Sequence, residues 1–88
     1  MRVAIVEDGG DILSVRPDDI KRVLPLGRGS VVTLAGGHRF ASTDSVATLR
    51  RRLRALPRSA AGRGRALRRL WVADIRQAAR WLHHRAGR

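Results

Sequence analysis

The sequence predicts an α+β domain in which a small antiparallel sheet of four or five short strands precedes two amphipathic helices. The first half alternates short apolar runs with glycine-rich turns, whereas apolar residues in the second half recur at helical spacing in two stretches. With 88 residues the chain is expected to form one domain, and without cysteine it has no disulfide or zinc–thiolate site. We divide it into a sheet-plus-helix unit (1–56), a linker or helix–helix connection (57–64) and a basic C-terminal helix (65–88).

The first two strands are predicted to form a hairpin. Residues 2–6 and 11–16 read as strands, and the paired glycines between them supply positive φ at low steric cost. A tight corner follows at 17–20, where a proline fixes φ and an aspartate can accept backbone amide hydrogens. The third strand, 22–26, contains Pro25, which favours the edge of a sheet or the end of a strand.

Residues 30–42 predict a second hairpin whose register depends on the length of its glycine turn. A two-residue loop would pair Thr33 with Phe40, whereas a three-residue loop with Gly37 in the left-handed conformation pairs Val32 with Phe40. The longer loop keeps the apolar side chains on one face, and a slip by one residue would send Phe40 to the other face. We therefore predict the bulged, three-residue turn.

Thr43 is the predicted N-cap of the first helix, and Asp44 would then lie favourably in its first turn. Pro57 is expected to end the helix, because proline cannot continue it. Arginines occupy the outer face of this helix. Its buried stripe is predicted to consist of Val46, Leu49, Leu53 and Leu56.

The C-terminal helix, which covers residues 65–85, gathers apolar residues within about 40° of one line and places arginines opposite. At 1.5 Å per residue it would be about 30 Å long, against about 20 Å for the first helix. The difference leaves apolar surface uncovered, which favours a homodimer or docking on a larger protein. We assign this interface to Leu67, Leu70, Trp71, Ile75, Ala78, Trp81 and Leu82.

Two residues of this helix leave alternatives open. Trp81 lies at the flank of the stripe. It can pack at the margin of the core, anchor an interface or provide a platform for base stacking. Asp74 falls inside the apolar arc, where it either lies at a partly exposed edge or pairs with an arginine of the first helix or of another chain.

The formal net charge of +12 is concentrated in the second half of the chain. Residues 1–42 hold six basic and five acidic groups, whereas residues 43–88 hold thirteen arginines and two aspartates. This concentration of positive charge favours the binding of polyanions, because arginines bind phosphate oxygens and release the counterions of a nucleic acid. The predicted nucleic-acid-binding residues are Arg50, Arg51, Arg52, Arg54, Arg58, Arg63, Arg65, Arg68, Arg69, Arg76 and Arg80.

These features predict a small, non-enzymatic nucleic-acid-binding regulator, with DNA rather than RNA as its partner. The alternative is a protein-interaction adaptor or inhibitor, of the phage-encoded kind, whose basic helix binds an acidic protein surface. We expect no cofactor, metal or catalytic residue: His38, Ser42 and Asp44 are the types of a triad, but their position at one hairpin end is not evidence of its geometry. No apolar run is long enough for a membrane span and the N-terminus lacks a signal-peptide pattern, so we expect a cytoplasmic location.

Five consecutive segments carry a family resemblance: PDDI at a corner, the strands KRVLPL, SVVTLAGG and HRFAS, and the helix start TDSVATLRRRL. In this order residues 11–56 resemble the first part of a LytTR-type DNA-binding domain, and they are equally similar to small FlbD-like flagellar-motility proteins and related short phage proteins. The resemblance implies a small bent antiparallel sheet and a regulatory role. LytTR domains continue with strands that carry an Arg-His-Arg-Ser type stretch. Here a proline, a linker and an arginine-rich helix follow instead, so no DNA-contact residue is carried over.

Overall fold

The computed structural model describes residues 1–70, and residues 71–88 lie outside the described part of the chain. Five strands form two antiparallel sheets, β1-β2 and β3-β4-β5, and two helices follow, which confirms the predicted α+β class. The elements in chain order are β1 (Val3–Val6), β2 (Ile12–Val15), the 3-10 helix η1 (Pro17–Asp19), β3 (Ile20–Leu26), β4 (Gly29–Leu34), β5 (Arg39–Ser42), α1 (Val46–Ala55) and α2, described over 63–70.

The two sheets meet where β1 runs beside the end of β5. The Thr43 amide donates to the Val6 carbonyl oxygen at 3.1 Å, and the Asp8 amide donates to the Ala41 carbonyl oxygen at 3.0 Å. These bonds satisfy backbone groups that would otherwise be left at the edges of two small sheets. The first hairpin is thereby fixed to the three-stranded sheet.

The register of the second hairpin is the predicted one. Val32 pairs with Phe40, and the Leu34 amide donates to the His38 carbonyl oxygen at 2.7 Å across a three-residue loop. Gly37 has a φ of +90°, which a residue with a side chain rarely adopts. The prediction for Pro25 is also confirmed, since β3 is an edge strand of its sheet.

The predicted start of the first helix is wrong by two residues. Ser45, not Thr43, is the N-cap: its hydroxyl oxygen accepts from the Thr48 amide at 3.1 Å, and the helix begins at Val46. Asp44 therefore lies before the helix and not in its first turn. The reason is tertiary, because Asp44, which would be the first helical residue after a Thr43 cap, is held elsewhere. Its carbonyl oxygen accepts from the Ser30 hydroxyl at 2.7 Å and its carboxylate accepts from the Val6 amide at 2.8 Å.

The hydrophobic core lies between the inner faces of the sheets and both helices. The α1 stripe is confirmed, with Val46, Leu49 and Leu53 buried and Leu56 packed at the margin. Ala66 and Leu70 of α2 are fully buried in the same core, so this helix folds back on the domain from its first turns. The sheets contribute Val3, Ile5, Val15, Ile20, Val23 and Val32.

The connection between α1 and α2 packs against the rest of the domain. Ala60 is buried, and Gly62, with a φ of +79°, lies so close to Asp18 of η1 that a Cβ atom would collide with it. The Ala66 amide donates to the Gly62 carbonyl oxygen at 2.9 Å, the first bond of α2. Arg63 donates from Nε and Nη2 to two carbonyl oxygens in the last turn of α1, each at 3.2 Å. Because a helix C-terminus leaves such carbonyls unsatisfied, Arg63 joins the two helices at the point where α2 begins.

Candidate nucleic-acid interface

With the exception of Arg50, the arginines predicted to bind phosphate fall into two groups in the described part of the chain. One group holds the fold together through hydrogen bonds to carboxylates and backbone carbonyls. The other group is exposed to solvent and forms no such side-chain contact within residues 1–70. The first group consists of Arg52, Arg63, Arg65 and Arg69, and the second of Arg51, Arg54, Arg58 and Arg68, which we call the exposed arginines.

Arg52 forms a forked ion pair with Asp44. Its Nη1 and Nη2 atoms donate to Oδ2 and Oδ1 of Asp44 at 2.6 and 3.0 Å, and Nη1 also donates to the Ala4 carbonyl oxygen at 2.8 Å. The Asp44 side chain is 10% exposed and also accepts the Val6 amide at 2.8 Å. The arginine thus connects α1 to β1 and to the end of β5, and its forked geometry is occupied by an internal partner.

Two arginines of α2 hold this helix against η1 and the start of β3. Arg65 donates to Oδ1 of Asp18 from Nε at 3.0 Å and from Nη2 at 2.8 Å. Arg69 Nη1 donates to the Ile20 carbonyl oxygen at 3.2 Å, on the edge strand. Asp18 also lies beside the N-terminus of α2, where a negative charge is favourable. These contacts account for both arginines as groups that position α2.

The exposed arginines form no ion pair or side-chain hydrogen bond within residues 1–70. Arg51 and Arg54 are three positions apart on α1 and therefore neighbours on its solvent face. Arg58 follows in the connection after the helix, and Arg68 lies on the outer side of α2. Arg50 belongs to neither group, because it is half-buried and has an interaction of its own.

The acidic residues lie where they do not neutralise the exposed arginines. Residues 1–70 contain fifteen basic and six acidic side chains. Asp18, Asp19 and Asp44 each pair with an internal or local arginine. The other three, Glu7, Asp8 and Asp11, lie in or next to the β1–β2 turn. None of the six forms an ion pair with Arg51, Arg54, Arg58 or Arg68.

The structure also contains cations that the sequence-based assignment omitted. Lys21, Arg22 and Arg39 are exposed on the three-stranded sheet, in a half of the chain that is nearly neutral by composition. The sequence contains one sign of this arrangement. Ile20 and Val23 are both apolar and lie three positions apart, so a regular strand cannot bury both on one face. A bulge would bury both and expose the cations between them.

The three residues that have the types of a catalytic triad are not arranged as one. The Ser42 hydroxyl donates to the Val6 carbonyl oxygen at 2.6 Å and accepts the Asp44 amide at 3.0 Å. The His38 ring lies at the exposed turn and stacks on Phe40, with ring centroids 5.7 Å apart. Ser42 and Asp44 thus act here as structural groups that join β1, β5 and α1.

Of the predicted interface residues, Leu70 lies in the chain's own core and Leu67 packs at its margin. Homodimerisation stays a prediction, and a light-scattering mass equal to one chain would refute it. Several predicted residues lie outside the described part of the chain: Trp71, Asp74, Ile75, Arg76, Ala78, Arg80, Trp81 and Leu82.

No known family model, curated protein or solved structure matches this chain. The resemblance to LytTR-type domains therefore stays a prediction. Within residues 1–70, no helix has the length and apolar character needed to cross a membrane.

Proposed function

We propose that this protein is a non-enzymatic nucleic-acid-binding regulator that contacts the phosphate backbone through its exposed arginines. One observation carries the proposal. Asp18 and Asp44 pair with arginines that hold the fold together, whereas Arg51, Arg54, Arg58 and Arg68 have no such partner within residues 1–70.

The mechanism is neutralisation of phosphate with release of the counterions condensed on the nucleic acid. For B-DNA the logarithm of the binding constant falls with the logarithm of salt concentration at a slope of about −0.9 per phosphate contact. Four contacts would give a slope of about −3.6, so raising the salt from about 50 to about 200 mM would weaken binding about 150-fold. The partner is proposed to be DNA because of the LytTR resemblance, and RNA is therefore the second arm of the test.

The experiment is a salt series with duplex DNA, single-stranded RNA and an acidic protein, followed by fluorescence anisotropy. The variant R51A/R54A removes two contacts and is expected to lower the DNA slope to about −1.8, so that the same salt step weakens binding only about 12-fold. Its matched control is R2A/R16A, which removes the same charge from the first hairpin and the residue before η1 and is expected to keep the wild-type slope.

The outcomes separate the candidate functions. If neither nucleic acid binds the wild type at about 50 mM salt, the proposal fails. Binding of the acidic protein alone would support the adaptor alternative instead. An equal loss of slope in R51A/R54A and R2A/R16A would mean that net charge, and not the exposed arginines, determines binding.

A further inference from the structure

A β-bulge at the start of β3 directs two consecutive cations away from the core. Ile20 and Val23 are 1% and 0% exposed, although residues three apart in a regular strand face opposite sides. The register against β4 shifts between Ile20 and Arg22, which inserts one extra residue and allows both apolar side chains to face inward. Lys21 and Arg22 consequently share the outer face of the sheet, and both are exposed.

The same outer face carries a third cation on the far side of the sheet. Arg22 pairs with Thr33 of β4, and Thr33 pairs with Arg39 of β5. Side chains of directly paired residues lie on one face, so Arg22 and Arg39 are two strand spacings apart, about 10 Å. We call Lys21, Arg22 and Arg39 the outer row. Within residues 1–70, none of the three forms an ion pair.

The outer row and the solvent face of α1 point in opposite directions. Val23, Val32 and Phe40, the next paired row, face inward and pack in or against the core that contains the buried stripe of α1. The helix contacts β1 and β3 from this inner side. Arg51 and Arg54 face solvent beyond the helix, whereas the outer row faces solvent beyond the sheet.

One straight duplex cannot contact both of these surfaces. The persistence length of DNA is about 150 bp, so a duplex stays nearly straight over the short length that an 88-residue domain can cover. Two separate duplexes meet no such obstacle, since each requires only a cationic surface.

We propose that the protein bridges two nucleic-acid segments, one held by the arginines of α1 and one by the outer row. This inference rests on the proposed function and adds to it a role in bringing two segments together. It also assigns a function to the bulge, which is the feature that places Lys21 and Arg22 side by side.

The test is a capture experiment with the full chain at about 50 mM salt, where phosphate contacts are strong. A biotinylated duplex is bound to streptavidin beads, and retention of a second, fluorescent duplex is measured as protein is added. Wild type is expected to retain the fluorescent duplex. In R22A/R39A retention should fall about tenfold, while affinity for a single duplex, measured separately by anisotropy, changes less than about threefold.

Two control variants make the result specific. R22K/R39K keeps the positive charge of the outer row and is expected to retain the fluorescent duplex as wild type does. R2A/R16A loses the same charge as R22A/R39A from a different part of the surface and should also retain it. Circular dichroism of each variant confirms that the sheet is intact.

Each contrary result has a distinct meaning. Wild type that binds one duplex but captures no second one would overturn bridging and leave the proposed function in place. Full retention by R22A/R39A would also overturn it, because a dimer bridging through its α1 faces would behave in this way. No binding of any duplex would overturn both proposals. If the bead-bound protein captured fluorescent polyglutamate but no second duplex, bridging would be overturned and the outer row would be assigned to an acidic protein.

Discussion

Replacing Asp44 with alanine is expected to remove the main polar connection between β1, the end of β5 and α1. The carboxylate accepts two hydrogen bonds from Arg52 and one from the Val6 amide, at distances of 2.6 to 3.0 Å. In the alanine variant the Val6 amide loses this partner and Arg52 keeps only the Ala4 carbonyl oxygen, at a site where the aspartate is 8% exposed. Local sequence contains no sign of this connection, since Val6 lies 38 residues before Asp44.

The expected loss of stability is about 3 kcal/mol. An unsatisfied buried amide costs about 1–3 kcal/mol. Breaking a fully buried ion pair costs about 3–5 kcal/mol, but the Arg52 side chain is 36% exposed, so solvent screening reduces that share to about 1–2 kcal/mol. For a domain of this size, 1 kcal/mol corresponds to about 4–8 °C in Tm, and the variant should melt about 12–24 °C below wild type.

The assay is urea unfolding followed by circular dichroism, with Asp44→Asn as a milder variant. Asparagine keeps one carbonyl oxygen, which can still accept from the Val6 amide, but it loses the charge and places an NH2 group where Oδ1 accepts from Arg52, so about half of the destabilisation is expected. A double-mutant cycle with Arg52→Ala should give a coupling energy of about 1–2 kcal/mol. A D44A protein within about 0.5 kcal/mol of wild type would refute the reasoning, since it would mean that neither contact contributes to stability. A drop of about 0.9 in the DNA salt slope for R52A would show that this arginine contacts phosphate after all.

Two further predictions use matched substitutions at neighbouring positions. Ser45→Ala removes the N-cap of α1 and should lower the free energy of unfolding, measured with urea, by about 1 kcal/mol. Thr43→Ala should change it by less than about 0.5 kcal/mol. A larger loss for Thr43→Ala than for Ser45→Ala would identify Thr43 as the cap. Gly62→Ala introduces a Cβ atom at positive φ that meets the Asp18 amide nitrogen at 2.8 Å and should cost at least about 1 kcal/mol. Gly64 lies inside α2, where an added Cβ atom would have its nearest neighbour at 3.5 Å, so Gly64→Ala should stabilise the protein by about 0.5–1 kcal/mol. Equal effects at the two glycines would mean that the connection does not pack against Asp18.

Features that depend on neighbours in sequence were predicted correctly. The α1 stripe follows from helical spacing alone, and the register of the second hairpin follows from the requirement that Val32 and Phe40 share a face. The N-cap was not predicted, because Thr43 and Ser45 are both good caps and only the tertiary contacts of Asp44, which lies between them, decide which one is the cap.

The sequence predicts the overall charge of the candidate site but not which arginines belong to it. Composition establishes an excess of arginine over acid in the second half of the chain. It does not show that Arg52 meets Asp44 or that Arg65 meets Asp18, 47 positions away. The outer row was missed because averaging the charge over the first half cancels Arg22 and Arg39 against acids that lie elsewhere.

The sequence by itself determined the fold class, the register of the second hairpin and the positive field, since each depends on local spacing or on composition, which folding does not change. Only the tertiary structure decided which arginines pair with the chain's own carboxylates. Long-range contacts place Asp18 and Asp44 against particular guanidinium groups, and a bulge turns Lys21 and Arg22 to the same face of the sheet. A side chain's availability to a partner depends on what the folded chain brings next to it, and that information is not local.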